Sequence, residues 1–306
     1  MHVAVLGASG IQGLHQLHHL AHNAHTVTAI SRTPPALLPS LSHRIQHVAA
    51  DFSSLPALAH AFKSVDTLFV NLPSTSFNPS AAIIAGARNV AVAAQKAGVR
   101  LMVFNASMPI PLTPQGITAQ DDRRAIRANL RDSGVPVISV EPVVYLDNLL
   151  EGWAVRPIRE EGRVVYCHKP DLRVSWVCHH DVAQIMLAAA QRPEMAGRDI
   201  RVGGPETVVL SELTAKLSRA WGRELACENQ SVADFCQRIS ESMKGRGLEG
   251  EKIVAQMFKA YTYYNEAEDE PFRVDMSEVV EELGVRLTTI EEWAGRRSPW
   301  DDKGYF

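Results

Sequence analysis

The chain opens on a short apolar run, His2 to Leu6, that breaks at once into glycines in the string LGASGIQG. The apolar residues read as a buried strand, and the pattern then switches to helical spacing from about Ile11 to Ala24. A strand that turns through glycines into a helix gathers backbone N–H groups with no partner of their own. The helix dipole adds partial positive charge at the same point, so such a turn suits a phosphate. Gly7 permits the tight turn, Gly10 lets the backbone approach a pyrophosphate, and Gly13 lets the helix pack close to the strand. Ser9 and Ile11 flank Gly10 at that mouth and complete the candidate phosphate cradle. The spacing is G-x-x-G-x-x-G, and its strand–turn–helix context separates it from an ordinary glycine-rich turn.

The rest of the first half alternates strand and helix. Strands are expected at Thr26 to Ser31, Ile45 to Asp51, Thr67 to Leu72, Leu101 to Ser107 and Pro136 to Pro142. Helices are expected over Leu55 to Lys63, Asn78 to Gly98 and about Ala119 to Ser133. Six short apolar strands separated by helices predict an α/β fold, a Rossmann-type doubly wound parallel sheet. In the second half, Asp147 to Glu161 reads as a helix, Val174 to Cys178 as a strand, and His180 to Arg192 as a helix. Asp199 to Val202 reads as a strand able to return to the main sheet. Helices are then expected at Ser211–Trp221, Ala233–Met243, Glu251–Tyr261, Ser277–Leu283 and Thr289–Ala294, with a mobile loop at Lys244 to Gly250. The expected division is a dinucleotide-binding domain over residues 1–150, with 174–204 returning to it. A smaller, mainly helical lobe would comprise 151–173 and 205–306 and lie over one edge of the sheet.

Composition bounds the partners. A net charge of −3 argues against non-specific nucleic-acid binding, which needs a basic face. No apolar run approaches the ~20 residues of a membrane helix, and the N-terminal residues lack the basic and apolar regions of a signal peptide. Cys167, Cys178, Cys227 and Cys236 form no CxxC and suggest free thiols in a reducing compartment, so a cytoplasmic location is expected. Oligomeric state is open, with a homodimer among the options.

The tip of the second strand carries Ser31-Arg32-Thr33. An acidic residue there would bind both ribose hydroxyls and repel a 2′-phosphate. Arg32 instead offers a planar, permanently charged fork, with hydroxyl donors beside it, so NADP(H) is favoured over NAD(H). Asp51 suits an adenine amino group, or else caps the turn at Phe52-Ser53-Ser54.

These residues carry a family resemblance. GASGIQG at 7–13, the ISR ending of the second strand, Asp51, NLP at 71–73 and Ala87-Arg88-Asn89 resemble the atypical short-chain dehydrogenase/reductases, in particular the NmrA-like group. Leu130 to Pro142 (LRDSGVPVISVEP), Val174 to Ala183 and Glu282 to Trp293 resemble further signatures of that group. The resemblance implies a dinucleotide domain, a small C-terminal domain and a substrate cleft between them. It places Asn71, Leu72 and Pro73 along the adenosine side, and Asn105, Ala106 and Ser107 under the nicotinamide.

The wider family uses Tyr-x-x-x-Lys with a serine on the fifth strand. Ser107 matches the serine, but no tyrosine lies between Ser107 and Val144, and Tyr145 is followed four residues later by Leu149. Related reductases place a lysine where Arg123 stands here, with Arg124 beside it. An arginine is too weak an acid to act as a general base, but it can donate to an oxyanion. Ser107, Arg123 and Arg124 are therefore the catalytic candidates. The histidines at 15, 18, 19 and 22 share a helix face read as solvent-facing, and Cys167-His168 and Cys178-His179-His180 lack four-ligand spacing, so no metal is expected. His168 or His179 is a candidate proton donor. Two functions fit: an NADP(H)-dependent oxidoreductase acting on a small carbonyl or quinone-like substrate, or a non-catalytic NADP(H) sensor that signals to a regulatory protein partner.

Overall fold

A computed structural model describes residues 1–23, 25–242 and 250–301. In chain order the elements are β1 (His2–Leu6), α1 (Ile11–His22), β2 (Thr26–Ser31), α2 (Pro39–Ser42), β3 (Ile45–Ala49), α3 (Leu55–Ala61), β4 (Thr67–Asn71), α4 (Ser80–Ala97), β5 (Leu101–Asn105), α5 (Thr118–Arg131) and β6 (Val137–Pro142). They continue with α6 (Gly152–Glu161), β7 (Arg163–Tyr166), α7 (His179–Ala190), β8 (Asp199–Val202), α8 (Leu210–Trp221) and β9 (Ala226–Asn229). The last helices are α9 (Val232–Ser242), α10 (Glu251–Glu266), α11 (Ser277–Leu283) and α12 (Ile290–Arg296). The expected loop at 244–249, Ala24 at the expected end of the first helix, and Met243 lie outside the described residues.

The chain divides into two units. The first comprises Met1–Pro142, His179–Arg201 and Glu281–Val285, and the second Val143–Cys178, Val202–Val280 and the chain from Arg286 onward.

Seven strands form one sheet in the order β3-β2-β1-β4-β5-β6-β8, and β1 to β6 pair in parallel. The chain order reverses between β1 and β4, the switch point at which such sheets leave a crevice beyond their carboxyl ends. The central strands β1, β4 and β5 are largely apolar because helices cover both faces: Val3, Ala4, Val5, Leu68, Phe69, Val70, Met102, Val103 and Phe104 are fully buried. Glycine 98, with φ of +72°, ends α4 in the left-handed conformation and turns the chain into β5.

Three expectations are corrected. The Asp147 to Glu161 helix breaks after a 3₁₀ turn at Leu146–Leu150, because Glu151 is extended and α6 starts afresh at Gly152. The Val174 to Cys178 segment is no strand. Single bridges hold it, Val174 to Val208 and Tyr145 to Val177, and its backbone meets Gly204 so closely that a Cβ there would lie 1.9 Å from the Trp176 carbonyl oxygen. A two-stranded parallel pair, β7 with β9, is added by the structure, its four-residue strands carrying too little periodicity to show in the sequence.

The third correction concerns the histidine face of α1: His15 and His19 pack toward α7, His18 is half-buried, and His22 is exposed as expected. His15 is buried with its ring 5.8 Å from that of His179, and His19 Nε2 lies 3.2 Å from His180 Nδ1. Burial, with His180 and His18 adding repulsion, pushes the His19 pKa down to about 3. His19 therefore stays neutral in the fold where the unfolded chain protonates near 6.5. Stability conferred by the neutral ring is present above pH 6.5 and is lost as pH falls toward 3. Wild-type stability, measured by urea denaturation, should fall by up to about 2 kcal/mol per such histidine between pH 7 and pH 5. His19→Leu should flatten part of that slope. An unchanged slope would show that His19 does not titrate this way.

Candidate functional site

The first unit concentrates the site around the ends of β1, β4 and β5. Gly7 adopts a φ of +77°, and a Cβ on it would lie 2.6 Å from the Asn71 carbonyl oxygen at the end of β4. A Cβ on Gly13 would lie 2.5 Å from the Gly7 carbonyl oxygen. Both glycines are thus demanded by the fold. Gly10 is not: its φ is −79°, and its Cβ would meet only the Gly7 carbonyl oxygen, at 3.4 Å. Ser9 and Gly10 are exposed and Ile11 half-buried at the start of α1. No side chain caps that end, so its first-turn N–H groups face outward without a helical acceptor. Backbone bonds from Gly7 N and Ala8 N to Ile30 O, at 3.0 and 3.2 Å, tie the turn to the tip of β2.

At that tip Arg32 projects with 82% of its side chain exposed, its Nε 3.6 Å from Asp51 Oδ2. Asp51 also accepts from Ser53 N at 2.8 Å, so it caps the turn that follows. Partial burial pushes the Asp51 carboxyl up, but the Ser53 bonds and Arg32 outweigh it and hold the group below the usual carboxylate range. Ser31 is buried and its hydroxyl donates to Thr33 O at 2.7 Å, which spends on the turn the donor expected for a ligand.

Three further expectations change character. Asn71 exchanges two bonds of 2.8 Å with Gln16 and donates to Leu6 O at 2.9 Å, so its amide fastens β4 to α1. Leu72 is buried and Pro73 exposed beyond it. Arg123, expected to face an oxyanion, is fully buried and donates to the Leu72 and Pro73 carbonyls at 3.0 and 3.1 Å. Its length lets it reach from α5 beneath the loop, where carbonyls await a donor. Arg124 donates to the carbonyls of Leu112 and Pro111. Both guanidinium groups brace loops.

Ser107 stands beyond β5 with a φ of +63°, a left-handed conformation that costs a non-glycine residue roughly 1 kcal/mol. Its N–H donates to Asn105 Oδ1 at 2.9 Å and its hydroxyl to Gln12 Oε1 at 3.2 Å. Gln12 also accepts from Asn105 Nδ2 at 2.5 Å. The side chains of Asn105 and Ala106 are fully buried, so of this trio only Ser107 is partly open. Gln12 was not among the expected residues. Its position inside the glycine string, on the first turn of α1, was the available signal. The segment is held again at Ile110, whose N–H donates to Glu141 Oε2 at 3.0 Å. Glu141 is buried on β6, which raises its pKa; that bond and Arg127 oppose the rise, and Arg127 also lies 2.7 Å from Asp199.

Among the described residues no group of three or more His, Cys, Asp or Glu side chains is placed to hold a metal ion. Among them, too, no helix is long and apolar enough to cross a membrane.

The chain is 34% identical over 192 residues to a (4-alkanoyl-5-oxo-2,5-dihydrofuran-3-yl)methyl phosphate reductase of Streptomyces griseus subsp. griseus; that match spans 61% of this chain and 63% of the relative. Its fold is shared with an NADPH-dependent quinone oxidoreductase of Escherichia coli solved with NADPH, at a TM-score of 0.75 and 22% identity over 95% of this chain and 98% of that one. The fold is shared equally with NmrA, a negative transcriptional regulator solved with NADP, at a TM-score of 0.75 and 18% identity, covering 96% of this chain and 94% of that one. The sequence model of the NmrA-like family matches residues 1–294, and the chain belongs to that family.

Proposed function

We propose that this protein is an NADP(H)-dependent oxidoreductase that reduces a small carbonyl or quinone-like substrate. Gly10 is the observation that carries the cofactor half of this reading. The fold has room for a side chain there, yet the position is glycine, at the uncapped and exposed mouth of α1. A pyrophosphate docked on that mouth needs the space a Cβ would fill. Arg32, exposed at the tip of β2 with no acid in its place, supports a 2′-phosphate and therefore NADP(H). The Streptomyces relative, itself a reductase, supports the activity.

A bound reduced nicotinamide supplies a hydride. The residues of this chain would do the rest. Gly7, Ser9, Gly10, Ile11 and Gly13 would hold the pyrophosphate, and Arg32 and Asp51 the adenosine end. The Leu72-Pro73 loop, braced by Arg123, would border it. Ser107, strained and partly open beside the buried Asn105 and Ala106, would donate its hydroxyl to the substrate oxygen once it leaves Gln12. Arg124 would act only by bracing the 111–112 segment. Solvent or a histidine would complete protonation.

The second reading is an NADP(H)-binding sensor. What favours it is specific: no Tyr-x-x-x-Lys pair is present, and Arg123, at the lysine position, is committed to backbone carbonyls.

Three measurements separate these readings. Wild type should bind NADPH more tightly than NADH, and Arg32→Ala should weaken NADPH about tenfold while sparing NADH, because the exposed contact is screened. Equal wild-type affinities would remove the 2′-phosphate assignment. Gly10→Val should melt as wild type does and lose NADPH, whereas Gly13→Val should fail to fold stably; a Gly10→Val variant that binds NADPH normally would reduce the glycines to a structural turn. Against a panel of carbonyls and quinones followed by NADPH absorbance, Ser107→Ala should lower kcat about a hundredfold and Tyr145→Phe should not. If wild type binds NADPH and oxidises it with none of them, the sensor reading replaces the enzyme.

A further inference from the structure

Two side-chain amides fix the direction of the Ser107 hydroxyl. The backbone N–H of Ser107 can only donate, and it donates to the Asn105 amide at 2.9 Å, so the nearest atom of that amide is its oxygen, Oδ1. Asn105 Nδ2 is thereby turned toward Gln12 and meets Oε1 of that residue at 2.5 Å. A donor on Asn105 requires the acceptor end of the Gln12 amide, so the orientation of Gln12 is fixed in turn. Gln12 Oε1 carries no proton and keeps a second lone pair. The Ser107 hydroxyl, 3.2 Å away, therefore donates to it. Asn105 is fully buried, Gln12 and Ser107 are half-buried, and the φ of +63° at Ser107 sets the direction in which its side chain leaves the backbone.

The hydroxyl proton of Ser107 is thus already engaged when a ligand arrives. A ligand oxygen receives it only by accepting more strongly than an amide oxygen. A neutral ketone or quinone carbonyl does not, because it lacks the nitrogen that feeds electron density to an amide oxygen. An oxyanion does, since hydrogen bonds to ionised acceptors are about twice as strong as neutral ones. When a hydride reduces a carbonyl, the new C–H bond forms at the carbonyl carbon and the π pair moves to oxygen. Solvent protonates that oxygen afterwards, and the dinucleotide is left oxidised. The charge that outcompetes Gln12 exists only once this transfer is under way.

We propose that Gln12 is a positioning residue for Ser107: together with Asn105 it withholds the hydroxyl from a neutral carbonyl and releases it to the oxyanion that forms during reduction. Ser107 then stabilises the transition state without tightening the ground state, which is the kind of binding that raises kcat. This role rests on the reductase reading, whereas the direction of the hydroxyl rests on the three distances alone.

Binding is measured by calorimetry on the whole protein with saturating NADP⁺, which has no hydride to transfer. The neutral probe is 2,3-dimethyl-1,4-naphthoquinone, and the anionic probe is 2-hydroxy-1,4-naphthoquinone, ionised at pH 7. Wild type and Ser107→Ala should bind the neutral quinone equally, whereas wild type should bind the anion about tenfold more tightly than Ser107→Ala. That split needs no change at Gln12, and a residue that merely braced β5 to α1 would not produce it. Gln12→Met removes the competing acceptor, so it should bind the neutral quinone about fivefold more tightly than wild type, and adding Ser107→Ala should abolish the gain. In turnover, Ser107→Ala should lower kcat and leave the KM of a neutral quinone unchanged. A loss of equal size for both probes in Ser107→Ala, no gain in Gln12→Met, or a wild type that binds neither probe would overturn the role of Gln12. The carbonyl panel judges the reductase reading separately. NADPH oxidation without the split overturns Gln12 alone, and the split without turnover sinks the reductase reading and leaves Gln12 governing Ser107.

Discussion

The approach of backbone to backbone at Gly7 and Gly13 is the constraint on which the first unit depends. Each position, given a Cβ, would place it within 2.6 Å of a carbonyl oxygen, far inside contact distance. Without these two glycines α1 could not start where it does, tight against β1 and the end of β4. The position of α1 in turn sets where its free N–H groups open, how Gln16 reaches Asn71, and how Gln12 reaches the residues beyond β5. One steric condition at the N-terminal turn therefore governs the open end of α1, the strand-end network and the setting of Ser107.

Polar groups inside this unit are arranged as braces. Arg123 holds the loop after β4 by two carbonyls, and Glu141 holds the segment after β5 through Ile110 N–H while paired with Arg127. A buried charge is tolerated where every strong donor or acceptor finds a partner, and removing one partner costs more than the pair contributes. The strained φ of Ser107 is retained because its neighbours on both sides are held. Rigid loops at the carboxyl ends of parallel strands are what a hydride-transfer site needs, since small displacements of reacting groups are expensive in rate.

The residues also show how side chains at motif positions take on structural work inside the fold. Arg123 and Asn71 occupy positions that the family resemblance associates with ligands, yet their hydrogen-bonding groups serve the protein interior. Ser31 likewise spends its hydroxyl proton on Thr33. Sequence position locates a side chain on an element, but the direction of a long or amide side chain follows from which buried carbonyls lack donors. Those are defined only when distant segments meet. The histidines of α1 make the same point: their face is polar by composition, yet His15 and His19 are covered by the arrival of α7, more than 150 residues later.

Local pattern determined much of this protein. Apolar runs at strand length, glycines at 7, 10 and 13, and an arginine in place of an acid at the tip of β2 were enough for the doubly wound sheet and the likeness to the NmrA-like family. These features are short-range, and backbone sterics and hydrophobic periodicity write them directly into neighbouring residues. Tertiary structure alone decided which of the three glycines the fold requires, that Gln12 joins α1 to Ser107, and that the rings of His168 and Trp176 pack together. It also dissolved the expected strand at Val174 to Cys178 into single bridges, and paired β7 with β9. Each of these depends on the distance between segments far apart in the chain, and no local spacing encodes that distance.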